Sequence, residues 1–402
     1  MKYNLWTDCN KVPITELLSF IVDNRGRTVP TASSGYKLIA TNCVTNNTLF
    51  PVYEKIRYLN EETYRTWFRA HPIPGDILFV NKGTPGRVCL VPDPVDFCIA
   101  QDMIALRADE SKIYPKYLFA VLRSREIQEQ IYNTNVGDVI PHFKKQFMNR
   151  LLIPVPDRCI QESIGNLYYE LSFKMEYNKK INDHLEQQAQ AYFQELFVDD
   201  ADPQWTTGTI SDLGQVVGGS TPSKAKPEYY TESGIAWITP KDLSVNKSKF
   251  ITHGENDITE LGLKNSSASI MPEGTVLFSS RAPIGYIAIA AGEVTTNQGF
   301  KSVIPKAEVG TAFMYFFLKH NLPVIEGMAS GSTFKEISGS TMKNVPAVIP
   351  DTKTLSRFND FCSPIFAQQQ ILEKQNQDLA LLRDALLPKL MSGEIDVSAV
   401  QL

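Results

Sequence analysis

No stretch of this 402-residue chain is apolar for long enough to span a bilayer, and residues 1–8 have no apolar run behind their charge. A membrane span and a secretory leader are not expected, which leaves the cytoplasm. The six cysteines form neither a Cys-x-x-Cys pair nor a His-linked spacing, so no metal site and no disulfide framework is expected. Histidine is sparse: five in all, of which His71, His184, His253 and His320 sit in no partner pattern and read as structural. A Gly-Lys-Ser/Thr phosphate loop is absent, which removes the usual ATP cradle.

A basic surplus is missing too, since the formal net charge is -4. The charge is unevenly spread, however. Residues 1–156 carry 19 Lys and Arg against 15 Asp and Glu, and residues 201–350 carry 12 against 13. The acidity lies in residues 157–200, with 4 against 9, and in residues 351–402, with 5 against 7. Local patches could therefore hold a polyanion, with modest affinity for the isolated chain.

What the chain does have is a message written twice. Residues 75–88, GDILFVNKGTPGRV, align without a gap on residues 274–287, GTVLFSSRAPIGYI. Gly137-Asp138-Val139-Ile140 answers to Gly331-Ser332-Thr333-Phe334, and Val155-Pro156-Asp157 to Ile349-Pro350-Asp351. Each copy opens on a short amphipathic segment and a polar turn. It continues through β-forming runs, Tyr36-Lys37-Leu38-Ile39-Ala40 in one and Ile235-Ala236-Trp237-Ile238-Thr239 in the other. Two α+β units with twisted mixed or antiparallel sheets are expected.

Each unit runs into a long polar stretch with helical periodicity. Ile164, Leu167, Leu171, Met175, Ile181, Leu185, Ala189, Tyr192 and Leu196 recur mostly at three- and four-residue steps. Phe358, Phe361, Ile365, Leu379, Leu382, Leu386 and Leu390 repeat the pattern 194 residues on, with Asn182 over Asn376. Pro364 and Pro388 are expected to kink or restart this second helix. Narrow apolar seams of this length predict an antiparallel coiled coil between the two helices, spacing the globular units.

The order of elements, the turn Gly-Gly-Ser-Thr-Pro at 218–222, the run Gly-Ser-Thr-Phe-Lys-Glu-Ile-Ser at 331–338 and the ending LLPKLMSGEI at 386–395 resemble specificity subunits of type I restriction-modification systems. That resemblance implies a pseudo-twofold internal repeat: target recognition domains at 1–156 and 201–350, a central spacer helix at 157–200, and a C-terminal spacer helix and tail at 351–402. It implies a DNA-binding subunit that reads a bipartite, asymmetric site on double-stranded DNA and is not itself an enzyme. Two modification subunits would bring S-adenosylmethionine and adenine-N6 methylation. Restriction subunits would bring ATP and magnesium, and this chain would bind no cofactor of its own. Leu171, Met175, Leu185, Tyr192, Leu379, Leu382 and Leu386 are the expected partner-binding positions on the spacers.

Base readout needs paired donors or acceptors projected from loops, and phosphate contacts need cations, hydroxyls or amides. In the first unit these requirements select Arg25, Arg27, Asn42, Lys82, Thr84, Arg87, Gln101, His142, Lys144 and Lys145. In the second they select Thr221, Lys224, Lys226, Lys241, Ser279, Ser280, Arg281, Gln298, Ser332, Thr333 and Lys335. Lys82 falls over Arg281 in the repeat. Gln101 and Gln298 suit either bidentate adenine recognition or capping of their own strand ends. The first unit has Asn24-Arg25-Gly26-Arg27-Thr28-Val29-Pro30 where the second has Gly-Gly-Ser-Thr-Pro, so different half-sites are expected.

No Asn-Pro-Pro-aromatic or Asp-Pro-Pro-Tyr sequence occurs, so the usual amino-methyltransferase centre is missing. Asp93, Glu110 and Lys112 loosely fit a magnesium-dependent nuclease pattern, but the second copy has no counterpart, and a loop between a strand and a helix near Tyr114 is expected there. A protein- or glycan-binding scaffold and a self-sufficient nuclease are the competing readings.

Overall fold

The computed structural model describes residues 4–24, 28–134, 141–331 and 335–396. The chain divides into two compact units, one of residues 1–178 with 375–402, the other of residues 179–374. Each unit therefore owns a stretch of both long helices.

In the first unit, strands are laid in the order Leu18–Val22, Met103–Ala108, Ile77–Val80, Val88–Leu90, with all neighbours antiparallel. The second unit repeats that order with Gly214–Gly218, Lys301–Pro305, Val276–Ser280 and Ile284–Ala290, and adds Phe250–Ile251 at the edge. A smaller sheet follows the same rule in both. Tyr36–Ile39 pairs antiparallel with Arg57–Leu59 and parallel with Phe97–Ile99; Ile235–Ile238 does the same with Asn256–Ile258 and Thr295–Thr296. The sequence repeat is thus a repeat of topology.

The matched glycines explain why the motif survives twice. Gly75 and Gly274 both have φ +84°, and Gly86 and Gly285 have φ +90° and +94°, a region that only glycine enters freely. Between them the strands Ile77–Val80 and Val276–Ser280 are buried along their length, as strands covered on both faces must be.

Behind each large sheet lies a nearly all-apolar helix, Pro115–Leu122 in one unit and Thr311–His320 in the other. Pro115 starts the first because a proline at the first helical position forfeits no hydrogen bond. The strand ending at Ala108 and this helix bracket Glu110 and Lys112 in a loop, as expected. The helix approaches the long helix so closely at Gly165 that a Cβ there would lie 2.5 Å from the Tyr117 amide nitrogen.

The long helices run Arg158–Gln194 and Thr352–Met391. Pro364 and Pro388 do not interrupt the second, contrary to expectation. Both prolines are exposed, so a carbonyl deprived of its helical partner can turn to water. Within the first unit Tyr168 lies near Arg383 and Met175 near Asn376; within the second Asn182 lies near Gln369 and Tyr192 near Arg357. The helices are antiparallel in both. The core of the first unit takes Ile164 and Tyr168 from one helix and Leu387, Leu390 and Met391 from the other. That of the second takes Ala189 and Phe193 from one, with Leu196 just past its end, and Leu355, Phe358, Cys362 and Ile365 from the other. Truncating a fully buried aromatic such as Phe358 costs about 3–5 kcal/mol, so these helices are part of each domain's core.

Candidate nucleic-acid interface

Three loops converge at one end of the inner strands of each large sheet. In the first unit the Phe143 amide donates to the Asn81 carbonyl at 2.8 Å and the Gly83 amide to the Pro141 carbonyl at 3.0 Å, while the Asn81 amide donates to the Asp102 carbonyl at 3.0 Å. These bonds tie the loops of Lys82, Gln101 and His142 into one surface. In the second unit the Ile337 amide donates to the Ser280 carbonyl at 2.9 Å, and the Ser280 amide to the Gly299 carbonyl at 2.7 Å. Arg281, Gln298 and Lys335 are gathered by the same arrangement.

The electrostatics of the second surface leave cation to spare. Arg281 and Lys301 share one carboxylate, Glu336, at 3.4 and 3.9 Å. Burial, with Arg281 also pressing, holds the Lys301 ammonium below its usual range despite Glu336. Lys335 is exposed beside them, and Arg281, Pro283, Ile284, Glu326, Lys335 and Glu336 line a cleft of about 600 Å³. It is an open groove whose walls carry the cations Arg281 and Lys335 and the carboxylates Glu326 and Glu336, so it offers both donors and acceptors to a base edge.

A second cleft of about 390 Å³ in the same unit gathers Thr221, Lys224, Lys241 and Gln298 with Trp237. The Thr221 hydroxyl donates to the Gln298 side-chain oxygen, and Lys241 pairs with Glu255. The side-chain carbonyl oxygen of Gln298 thus faces Thr221. Lys226 lies outside the cleft and donates to the Tyr229 hydroxyl at 3.0 Å.

In the first unit Lys82 is exposed and pairs with Asp102 at 3.8 Å, and Lys145 pairs with Asp23 at 3.1 Å. Thr84 and Arg87 sit on the turn between the strands Ile77–Val80 and Val88–Leu90, with Arg87 exposed. Gln101 and Lys144 are exposed, and Asn42 spends its amide on the Glu54 carbonyl at 2.7 Å. Arg25, Arg27, Ser332 and Thr333 lie outside the described residues.

Two expected contact residues are corrected. Ser279 and Ser280 are fully buried: one hydroxyl accepts the Tyr286 amide and donates to the Pro283 carbonyl at 2.9 Å, the other donates to the Gly299 carbonyl at 3.1 Å. They shape the Arg281 loop from beneath. Lys301 and Glu336 were missed; the repeat alone could have flagged Glu336, which follows Lys335 in the matched run.

His71 stacks on Tyr64 with ring centroids 4.2 Å apart, and His253 faces Asp257 at 3.2 Å, both structural roles. Lys112 is held by Asp109 at 3.1 Å and the Glu16 carbonyl at 3.1 Å, and no group of three metal-capable side chains forms among the described residues. No described helix is long and apolar enough to cross a membrane.

On the long helices the expected partner-binding residues divide. Leu171, Met175, Leu185, Tyr192, Leu379 and Leu386 are only partly exposed. Among them Leu185, Tyr192 and Leu386 pack on the unit cores. Of the expected partner-binding residues only Leu382 stands out, at 47%, together with Phe361, an expected seam residue, and the unforeseen Phe173, Tyr177, Ile371 and Leu381. Periodicity finds an apolar seam; it does not say which apolar side chains fall outside it.

The family model described as the type I restriction modification DNA specificity domain matches twice, over residues 10–187 and 203–380. The chain is 41% identical over 191 residues to the type I restriction enzyme MjaIX specificity subunit of Methanocaldococcus jannaschii, a match covering 45% of this chain and 44% of that protein. The type I restriction enzyme HindI specificity subunit of Haemophilus influenzae is 24% identical, with 80% of this chain and 86% of that protein covered. The type I restriction-modification S subunit of M. genitalium shares the fold, with a TM-score of 0.60 at 18% identity over 97% of this chain and 98% of that one. With two matched domains spanning most of its length, the chain belongs to the type I restriction modification DNA specificity domain family.

Proposed function

We propose that this chain is the non-catalytic address module of a type I restriction-modification complex, each unit reading one half of a bipartite, asymmetric DNA site. The observation that carries this is the repeated loop convergence that sets Lys82 beside His142 in one unit and Arg281 beside Lys335 in the other. The frame is the same, and its side chains differ: Lys82 answers to Arg281, and Pro141-His142 to Lys335-Glu336. Different donors on one frame suit different half-sites. The sets led by Lys82 and Arg281 make the base and phosphate contacts, joined by the Thr221, Lys224, Lys241 and Gln298 cleft. Arg25, Arg27, Ser332 and Thr333 are assigned to DNA contact on their sequence chemistry alone.

The long helices act as the ruler between half-sites and as the dock for two modification subunits, through which restriction subunits join. Exposed Phe173 and Tyr177, one helical turn apart, and the consecutive Leu381 and Leu382 support the docking role, since neighbouring large apolar side chains left in water mark interaction surfaces. Methylation chemistry then belongs to the modification subunits with S-adenosylmethionine. Sequencing the methylome of cells that express this chain with its modification subunit tests the reading: a gapped adenine-methylated motif with unlike halves supports it, and an unmethylated genome opposes it.

A further inference from the structure

Away from the reading surfaces, the first unit holds two arginines with donors left over. Arg123 directs Nη2 to the main-chain carbonyls of Thr45, Thr48 and Val88, which ties a loop and a strand to the end of the helix Pro115–Leu122. Its Nε and Nη1 are buried with no acceptor in good geometry; the guanidinium lies 4.3 Å from the Phe119 ring centroid and beside the Tyr168 hydroxyl. Arg383, on the second long helix, is only 4% exposed; its Nε donates to Asp384 at 2.8 Å, and its buried Nη1 has no partner. Burial, with Arg383 next to it, pulls the Arg123 guanidinium below its usual range, while the Tyr168 hydroxyl works the other way.

Both arginines line one cleft of about 280 Å³, with Asn46, Asn47, Tyr168 and Ser124 also on its wall. Ser124 precedes the ten-residue helix Arg125–Thr134, so that helix presents its positive end there. The carboxylates at the cleft are Glu126 and Asp384; Asp384 is 64% exposed, and Arg125 is already engaged with Glu129. The buried Arg383 guanidinium and the enclosed Nε and Nη1 of the half-buried Arg123 are costly unless an acceptor arrives. A native interior normally satisfies such groups with water or an ion. The volume falls just under the range of about 300–1,000 Å³ typical of larger ligands, which points to a small guest.

We propose that this cleft is an oxyanion site in which a carboxylate or phosphate group completes the guanidiniums of Arg123 and Arg383. Planar, doubly donating arginines favour such groups. The group has two sources: free phosphate, or an acidic side chain of a docked modification subunit. The second source rests on the function proposed above.

The test is calorimetric titration of the full chain with sodium phosphate in a non-phosphate buffer, against sodium chloride at equal ionic strength. It is paired with capture of modification subunits in the presence and absence of phosphate. Free phosphate as the guest predicts saturable binding that weakens at least tenfold in Arg383→Gln and less in Arg383→Lys. A docked carboxylate as the guest predicts that phosphate weakens capture and that Arg383→Gln lowers it at least tenfold with an unchanged unfolding midpoint. Absence of both phosphate binding and any phosphate effect on capture by the wild-type chain overturns the proposal, whether or not the glutamine variant folds. Equal phosphate binding by wild type and Arg383→Lys and Arg383→Gln also overturns it. Phosphate binding is read without DNA, so failure of the DNA-reading assignment is seen separately.

Discussion

The side-chain amide of Asn376 donates to the main-chain carbonyl of Met175 at 3.1 Å, and its oxygen accepts from Asn178 at 2.9 Å. This polar clasp sits where the two long helices pair within the first unit, and Asn178 is fully buried. A buried asparagine in a helix seam fixes register, because sliding either helix leaves amides unpaired.

Replacing Asn376 with Ala leaves the buried Asn178 amide only its longer, 3.3 Å bond to Gln375 and is expected to cost about 1–3 kcal/mol in denaturant unfolding. Changing both Asn178 and Asn376 to Leu should recover most of that stability and lose register. Cross-linking of cysteines placed on the two helices measures the loss, and a double variant as unstable as the single one contradicts a register role.

In the second unit Glu186 takes ion pairs from Lys249 and Lys319 while the Lys249 amide donates to Glu373 at 2.8 Å. Burial pushes the Glu186 carboxyl up, but the two lysines hold it below its ordinary value. Its folded value is lower than its unfolded one, so its stabilisation is present above the ordinary value of 4.5 and is lost as pH falls below it. Glu186→Gln should therefore cost about 3–5 kcal/mol at pH 7, and its deficit relative to wild type should narrow below pH 4.5. Burial raises Glu373, whose contribution has the opposite sign, so the difference between the two proteins, and not the absolute stability, is the quantity to follow. A deficit constant across that window would remove the ion-pair explanation.

Arg281→Ala and Lys335→Ala should each weaken DNA binding and lower the slope of log affinity against log salt by about 1 if they contact phosphate. Loss of base discrimination should be confined to the half-site of the second unit. Relaxed reading of both halves contradicts separate readers.

Tyr177→Asp and Leu381→Asp place charge on exposed apolar positions without touching either core. Each should reduce capture of modification subunits at least tenfold and leave the unfolding midpoint within a degree or two. Full capture by both variants places the dock elsewhere.

The duplicated architecture was legible because its marks are steric: glycines at φ near +84° and +90° cannot drift, and the buried strand between them must stay apolar. The equivalence of Lys82 and Arg281 was legible for the same reason, since the repeat preserved the frame; that His142 and Lys335 join them was not, because main-chain bonds between distant segments make that convergence. Depth was not legible. Ser279 and Ser280 look like any loop hydroxyls until the structure seats them under the loop. Nor does a helical period separate Leu171, which lies partly covered, from Phe173 and Leu381, which do not. Pro364 misled because helix-breaking strength was read without the packing of Phe358, Cys362, Ile365 and Phe366, which holds that helix in place.

The most direct test of the central claim is a methylome of cells expressing the chain with its modification subunit, for the wild type and for a variant with four residues inserted into each long helix at the boundary between the units, after Asn178 and after Lys374. The account predicts a gapped, asymmetric adenine-methylated motif, and the same two half-sites across a longer gap in the variant. An ungapped motif, or a variant that keeps half-sites and gap unchanged, contradicts it.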